Sequence, residues 1–350
     1  MPYAIEADSL RKTFKGKHEV RALDGVSFGV AEGTVFGLLG PNGSGKTTAV
    51  RVLTTILKPD GGKALVLGHD VTKKANLVRS LIGLAGQYAA VDENLTGREN
   101  LQMVGSLNHL GRAQVATRAK ELLDQFNLSD AGDRTLKTYS GGMRRRLDLA
   151  AALVARPTVL FLDEPTTGLD PQSRNDLWEV IESLVGGGTT VLLTTQYLEE
   201  ADRLASTLSV IDHGRVIANG SPAELKADLG ATVLEVGLES LGEAQRTAEL
   251  FATLGSHTPT VNGTVVEVTV DHGPESAMAG LRSLDTEKIV PTVFTLREPS
   301  LDDVFLALTG RRAEDEGENE EVSTDVTPPG RRERRRDRAA GSPTAPGVRP

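Results

Sequence analysis

The stretch GPNGSGKTT, residues 40–48, follows the apolar run VFGLL and precedes the helical pattern AVRVLTTIL. A loop between a strand and a helix can wrap a phosphate, because its glycines let backbone N–H groups approach the oxygens. Lys46 adds a point charge, and the Thr47 hydroxyl can reach Mg²⁺. A glycine turn with only a structural duty would leave that lysine and that hydroxyl unexplained. The predicted phosphate-binding residues are Gly40, Pro41, Asn42, Gly43, Ser44, Gly45, Lys46, Thr47 and Thr48.

A second motif, TVLFLDEPTTGLD, spans residues 158–170. Its apolar run predicts a buried strand that ends at Asp163 and Glu164, at the edge where open α/β sheets bind ligands. Asp163 can hold a hydrated Mg²⁺ while Glu164 orients or deprotonates an attacking water. An acidic pair that merely ends a strand is the alternative, and it fits less well beside a phosphate loop.

Composition limits the classes of function. The chain has 350 residues, 39% of them hydrophobic, which predicts two domains or one large domain in a soluble globular protein. The absence of cysteine excludes disulfides, thiolate catalysis and cysteine-ligated zinc. A formal net charge of −9 argues against general nucleic-acid binding. No stretch approaches the roughly 20 apolar residues of a membrane span, so we expect any membrane role to come through a partner.

The pattern of apolar runs divides the chain into three parts. Residues 3–220 alternate short apolar runs with amphipathic stretches, which predicts an α/β domain with a mostly parallel sheet. Buried strands are expected at 35–39, 159–163 and 189–195, and antiparallel strands within residues 4–30.

The remaining two parts differ from the first in composition. Ser221, Pro222 and Glu224 predict a helix start, and three strand patterns (TVLEVGL, TVVEVTV and TVFTLRE) predict a small α+β domain over residues 221–310. Charged blocks and Pro/Gly-rich sequence predict a disordered tail at 311–350. Its arginine run could touch anionic lipid, but interleaved acidic residues favour plain solvation.

The segment TYSGGMRRRLDLAAALVARP, residues 138–157, resembles the signature of ATP-binding cassette (ABC) ATPases. The resemblance implies a P-loop, RecA-like α/β domain with antiparallel β and helical subdomains. It also implies that ATP is held between the phosphate loop of one copy and the signature of another. One chain then carries two half-sites and needs a second copy to hydrolyse ATP. The signature residues are Ser140, Gly141, Gly142 and Met143.

Three further roles follow from the same resemblance. Gln87 looks like the loop glutamine that contacts Mg²⁺ and couples to a membrane partner. Phe14 looks like the aromatic residue that stacks on adenine, with a buried core aromatic as the alternative. Asp170 looks like the loop aspartate that links two protomers.

Two segments narrow the resemblance to one subfamily. The stretch LLTTQYLEEAD (residues 192–202) and the ending LREPSLDDVFLALTG (residues 296–310) resemble ATPase subunits of bacterial drug exporters of the daunorubicin-resistance type. Gln196 stands where most ABC ATPases place a histidine that contacts the γ-phosphate. Its amide can donate a hydrogen bond but cannot titrate. A strand-end amide that caps the next helix is the alternative.

The resulting expectation is an ATPase that uses ATP and Mg²⁺ and energises drug export through a separate transmembrane permease. It would work as a homodimer, without nucleic acid, at the cytoplasmic side of the cell membrane, with membrane contact mainly through the permease. The expected catalytic residues are Lys46, Glu164 and Gln196, and the expected metal ligands are Thr47, Gln87 and Asp163. A soluble ABC ATPase acting on ribosomes or in DNA repair and an importer ATPase remain as alternatives.

Overall fold

Three β-sheets and their connecting helices form the chain in the computed structural model, which describes residues 3–16, 19–86, 91–229, 232–255, 258–270 and 273–309. Gln87 and the predicted tail lie outside these residues. Within them, no helix has the length and apolar character needed to cross a membrane.

The strands are β1 (Tyr3–Lys15), β2 (Glu19–Ala31), β3 (Val35–Leu39), β4 (Gly61–Val66), β5 (His69–Asp70), β6 (Ile82–Ala85), β7 (Val159–Asp163), β8 (Thr190–Thr195), β9 (Thr207–Asp212), β10 (Arg215–Gly220), β11 (Thr232–Gly237), β12 (Thr260–Asn262), β13 (Val265–Val270) and β14 (Val293–Arg297). The α-helices are α1 (Lys46–Leu53), α2 (Ala75–Leu81), α3 (Gly97–Leu107), α4 (Arg112–Gln125), α5 (Gly141–Ala152), α6 (Pro171–Gly186), α7 (Leu198–Leu204), α8 (Pro222–Leu229), α9 (Leu241–Phe251), α10 (Gly273–Thr286) and α11 (Leu301–Thr309).

The central sheet has six strands in the order β10-β9-β3-β8-β7-β6, and only the edge strand β10 pairs antiparallel. Every residue of β3, β7 and β8 is buried, which is why these strands are continuous apolar runs rather than alternating patterns. The three predicted buried strands are therefore confirmed, with β8 beginning one residue later than predicted. Their carboxyl ends meet at one edge of the sheet.

The antiparallel sheet has the order β2-β1-β4-β5, as expected for residues 4–30. Its inner face shares a core with α1 and the central sheet through buried residues such as Ile5, Leu10 and Val50. Phe28 stacks on Phe36 of β3 at 5.0 Å between ring centroids, which ties the two sheets together. The phosphate loop is thus supported by two sheets.

Helices α3, α4 and α5 form the predicted helical subdomain. Leu101, Leu122, Phe126 and Leu147 are fully buried in its core, which continues onto the central sheet. The start of α3 is defined by a capping box between Thr96 and Glu99. Helix α5 leads from the signature segment towards β7.

The C-terminal sheet has the order β12-β13-β11-β14, all antiparallel. The three predicted strands are present, and β12 is an additional strand of three residues. Helix α8 starts where predicted, with Ser221 N donating to Glu224 Oε2 at 2.8 Å. Helices α9 and α10 share a core with this sheet.

Helix α11 belongs to a different core. Its residues Leu301, Val304 and Phe305 are buried with Leu198 of α7 and Leu208 of β9. The last helix of the chain therefore packs on the central-sheet region, next to the helix that follows Gln196.

Candidate functional site

The phosphate loop connects β3 to α1, and its backbone requires glycine at Gly45. This residue has a φ of 113°, which is strained for any residue with a side chain. A Cβ there would lie 2.3 Å from the carbonyl oxygen of Ala22. The loop is thus pressed against β2, which fixes its path at the start of α1.

Lys46 is almost completely buried, at 4% exposure. Its Nζ donates to the carbonyl oxygens of Gly40 at 2.7 Å and Pro41 at 3.0 Å. It also lies 3.5 Å from Glu164 Oε1. The loop lysine and the acid of the second motif therefore form one buried ion pair.

The predicted metal-binding pair is in direct contact at the sheet edge. Asp163 Oδ1 accepts a hydrogen bond from Thr47 Oγ1 at 3.2 Å and another from Thr194 Oγ1 at 2.6 Å. Sequence reasoning missed Thr194, although a hydroxyl at the end of a strand adjacent to β7 was a usable signal. The three side chains bring oxygen atoms together beside the loop.

Glu164 has a left-handed backbone conformation, with a φ of 50°. Such a conformation is costly for a residue with a side chain and persists only where neighbouring contacts hold it. The Glu164 N–H donates to both the carbonyl and the hydroxyl oxygen of Thr194, each at 3.1 Å. The strand thus ends in a turn that hydrogen bonds to Thr194 stabilise, and this turn directs the Glu164 carboxylate towards Lys46.

A cavity of about 610 Å³ brings nine of the predicted site residues together. Phe14 borders it and is 41% exposed, so the buried-core alternative for this ring is wrong. The lining residues are Phe14, Ala22, Asn42, Gly43, Gly45, Lys46, Thr47, Thr48, Arg51, Glu164, Thr167 and Gln196.

Gln196 lies between β8 and α7 and does not cap the helix. The N-cap residue of α7 is Tyr197, and no side chain caps this helix. Within the described residues the Gln196 amide makes no hydrogen bond, and it borders the cavity that Lys46 and Glu164 share. The helix-capping alternative is therefore wrong.

The signature segment, residues 140–143, lies apart from that cavity. Ser140 is the N-cap residue of α5, and its Oγ accepts from Met143 N at 3.2 Å. Ser140 and Gly141 are exposed, and none of the four residues borders the cavity as the structure describes it. The phosphate loop and the signature of one chain therefore do not share this cavity.

Asp170 caps α6 within its own chain. Its carboxylate accepts from Ser173 N at 2.9 Å and from Ser173 Oγ at 2.7 Å. These hydrogen bonds hold the pKa of Asp170 below its ordinary value. The expected link between protomers stays a prediction.

Glu200 is a buried acid that sequence reasoning missed. It is fully buried on α7, four residues after Gln196, and its Oε1 accepts from Trp178 Nε1 at 3.1 Å. Burial raises its pKa, although hydrogen-bond donors at Thr195, Trp178 and Thr166 and the charge of Arg174 oppose that shift. Its Oε2 makes no hydrogen bond of good geometry to a described residue.

The residues present fit a nucleotide phosphate with Mg²⁺. The buried hydroxyl of Ser44 makes no hydrogen bond to another described residue. No atom lies within 4 Å of the position that a Cβ on Gly43 would take, so a ligand can approach the backbone there. The Thr47 and Asp163 oxygens are the hard ligands that Mg²⁺ prefers.

Comparisons with known families and proteins also indicate a nucleotide-binding protein. A family model described as ABC transporter matches residues 23–167, and one described as the C-terminal domain of DrrA1-3-like ATP-binding proteins matches residues 220–309. The daunorubicin resistance ATP-binding protein DrrA2 of Streptomyces coeruleorubidus is 52% identical over 89% of this chain and 97% of its own length. The daunorubicin/doxorubicin resistance ATP-binding protein DrrA of Streptomyces peucetius is 52% identical over 91% of this chain and 96% of its own length.

Solved structures share the fold of the first part of the chain. A nucleotide-free cassette of an ABC transporter matches 65% of this chain and 94% of its own, with 28% identity and a TM-score of 0.59. The CbiO1 subunit of the CbiONQ transporter from Clostridium perfringens matches 65% of this chain and 92% of its own, with 26% identity and a TM-score of 0.59. A cassette dimer with bound ADP and Pi matches 62% of this chain and 98% of its own, with 24% identity and a TM-score of 0.58. At this identity the match shows a shared fold and nothing more.

Proposed function

Because the chain belongs to the ABC-type ATP-binding proteins that carry a DrrA-type C-terminal domain, we propose that two copies hydrolyse ATP together and so drive the export of a drug or natural product through a separate transmembrane permease. The cavity that joins Phe14, the phosphate loop, Glu164 and Gln196 carries the proposal, since it brings together residues that one half-site would need. The signature on another surface supplies the half-site for a second copy. We place the chain at the cytoplasmic side of the cell membrane, where the permease holds it.

Binding of the substrate is assigned to the phosphate loop and Phe14. Backbone N–H groups of the loop and the start of α1 favour anionic oxygens. Lys46 would direct its charge to the β- and γ-phosphates, and the exposed Phe14 ring would stack on the adenine. Thr47 and Asp163 would hold Mg²⁺, which offsets phosphate charge when it is bound.

The catalytic step is assigned to Glu164 and Gln196. Glu164 would accept a proton from the water that attacks the γ-phosphate, while its held turn keeps the carboxylate oriented. The Gln196 amide would donate a hydrogen bond to the γ-phosphate oxygens as charge develops on them. Ser140 and the N-terminus of α5 in the second copy would complete the contacts to that phosphate.

The roles of Glu164 and Lys46 separate by mutation. Glu164→Gln keeps the side-chain shape but accepts no proton, so we expect ATP binding to persist and steady-state turnover to fall at least about 100-fold. Lys46→Ala removes a phosphate contact, so we expect binding to weaken as well. Fluorescent-nucleotide titration and phosphate release measure the two effects. Wild-type turnover in Glu164→Gln would refute the assignment.

Mixing two inactive variants tests the two-copy site. A Ser140→Arg chain keeps its phosphate loop, and a Lys46→Ala chain keeps its signature. In their mixed dimer one site has both motifs intact, so we expect activity to return when the two are combined. If mixed dimers form and stay inactive, the composite site is wrong or its two halves must act together.

Export is tested with the membrane subunit present. Cells that express the chain with its permease should accumulate less of a transported fluorescent compound than cells with Glu164→Gln. Daunorubicin is the first compound to measure, because relatives are named for resistance to it. Higher accumulation with the active chain would instead support import.

A further inference from the structure

Arg145, on the second turn of α5, is a largely buried cation without a role in the proposed reaction. Its side chain is only 14% exposed. Burial lowers the pKa of its guanidinium group, since the charged form is desolvated there. A buried charge persists when its hydrogen-bonding groups are satisfied, and in Arg145 they are.

The guanidinium group donates to one short stretch of backbone. Nε donates to the Pro165 carbonyl at 2.6 Å, and Nη2 donates to the carbonyls of Glu164 at 2.9 Å and Asp163 at 3.2 Å. Successive carbonyls of an extended strand point to opposite sides, so three of them converge on one cation only where the chain turns. The turn is the left-handed conformation of Glu164.

The remaining donors reach two other parts of the chain. Nη1 donates to the Gly86 carbonyl at 2.6 Å and lies 3.5 Å from Asp148 Oδ2. Gly86 is the last described residue before Gln87. Arg145 therefore connects α5, the Glu164 turn and the end of the segment that leads to Gln87.

We propose that Arg145 is the positioning residue that holds Glu164 of its own chain in place for water activation. The inference rests on the proposed role of Glu164. It adds Arg145 as the group that holds the Glu164 carbonyl, while Thr194 holds the Glu164 N–H. A fixed backbone at Asp163, Glu164 and Pro165 leaves the carboxylate little freedom to move from the attacking water. A displacement of about 1 Å can reduce a rate by about 100-fold.

Three variants separate positioning from simple support of the fold. Arg145→Met keeps much of the side-chain length and removes every donor, and Arg145→Lys keeps the charge but not the planar fork. Arg146→Met is the matched control, because Arg146 is 18% exposed on the same helix and touches neither the Glu164 turn nor Gly86. Its Nη1 donates to the Phe126 carbonyl at 3.4 Å and lies 3.9 Å from Asp176 Oδ2.

We expect Arg145→Met to lower kcat about 30-fold to 100-fold, while the dissociation constant of a fluorescent ATP analogue changes less than about 3-fold. The kcat of Arg145→Lys should lie between that of Arg145→Met and that of wild type. Arg146→Met should retain kcat within about 3-fold of wild type. Retained nucleotide binding shows that a variant is folded. Equal kcat values for Arg145→Met and wild type, or equal losses in the two methionine variants, would overturn the proposal.

The mixed dimer of Ser140→Arg and Lys46→Ala chains shows whether Arg145 acts on Glu164 of its own chain or of the other copy. Its intact site uses Glu164 of the Ser140→Arg chain, so Arg145→Met placed in that chain should lower the recovered activity by about 10-fold or more. The same change in the Lys46→Ala chain should lower it less than about 3-fold. Equal losses in both placements would refute positioning within the chain. A mixture that is inactive before Arg145 is changed counts against the composite site instead, and the kcat and binding measurements on single variants still decide the role of Arg145.

Discussion

Replacing Glu200 by glutamine should stabilise the protein, and the gain should grow with pH. Glu200 is fully buried, and its Oε2 has no well-formed hydrogen bond to a described residue. A buried polar group without a partner costs about 1–3 kcal/mol, and a charged group costs more. Glutamine keeps the oxygen that accepts from Trp178 Nε1, carries no charge, and offers an N–H to the Thr166 hydroxyl, whose contact with Glu200 lacks good hydrogen-bond geometry.

The pH dependence follows from the raised pKa of Glu200. Between its ordinary value of 4.5 and its value in the fold, the folded chain holds a proton that the unfolded chain has released. The stability from this proton is present below about pH 4.5 and is lost as the pH rises through the folded pKa. Glu200→Gln has no such proton, so its advantage over wild type should be small at about pH 5 and largest at about pH 8.

Thermal unfolding at about pH 5, 6.5 and 8 measures this effect. At the highest pH, a gain of about 1–3 kcal/mol corresponds to a rise in Tm of about 2–6 °C for a chain of this size. Glu199→Gln is the matched control: its carboxylate side chain is 74% exposed one residue away, and we expect little change at any pH. A lower Tm for Glu200→Gln than for wild type at pH 8, or a Tm difference that does not vary with pH, would refute the reasoning.

Two other changes have defined outcomes. Gln196→Ala should lose a hydrogen bond to a charged group worth about 1.5–3 kcal/mol, which lowers turnover about 10-fold to 100-fold and ATP affinity less. Gln196→His should retain much of the activity and add a pH dependence near an ordinary pKa of about 6.5, whereas equal rates for wild type and Gln196→Ala would remove Gln196 from catalysis. Gly45→Ala should lower the Tm of the nucleotide-free protein more than Gly43→Ala, because a Cβ on Gly45 meets the Ala22 carbonyl at 2.3 Å while a Cβ on Gly43 meets nothing within 4 Å. Equal Tm values for these two variants would show that the loop shifts away from β2.

Local patterns predicted the parts of the site that depend on local geometry. The phosphate loop is specified by glycines, a lysine and a hydroxyl at fixed offsets, and the buried strands by apolar runs, one of which ends in acids. The short strand β12 was missed because three residues, Thr260–Asn262, give no readable alternation. Where Gln87 lies relative to the cavity remains a prediction, since it is outside the described residues.

Contacts between distant segments could not be predicted in the same way. Residues 144–146 are three consecutive arginines, and helical geometry turns them in different directions. Their side chains are 38%, 14% and 18% exposed, but which of them is most buried depends on where α5 packs against the turn after β7. Glu200 shows the same limit, because an acid in LEEAD is usually placed on a solvated face.

The packing of α11 determines which pieces of this chain could be exchanged with those of a relative. A hybrid joined at residue 221 would follow the predicted boundary between the first two parts of the chain. It would nevertheless pack α8 and α11 of one parent against α7 and β9 of the other. Their side chains would then meet a surface shaped by a different sequence. The portion whose apolar core would move intact is the C-terminal sheet with α9 and α10. Its ion pair between Arg297 of β14 and Asp303 of α11 would have to be kept across the junction. A hybrid assembled in this way leaves the helix after Gln196 in its native surroundings.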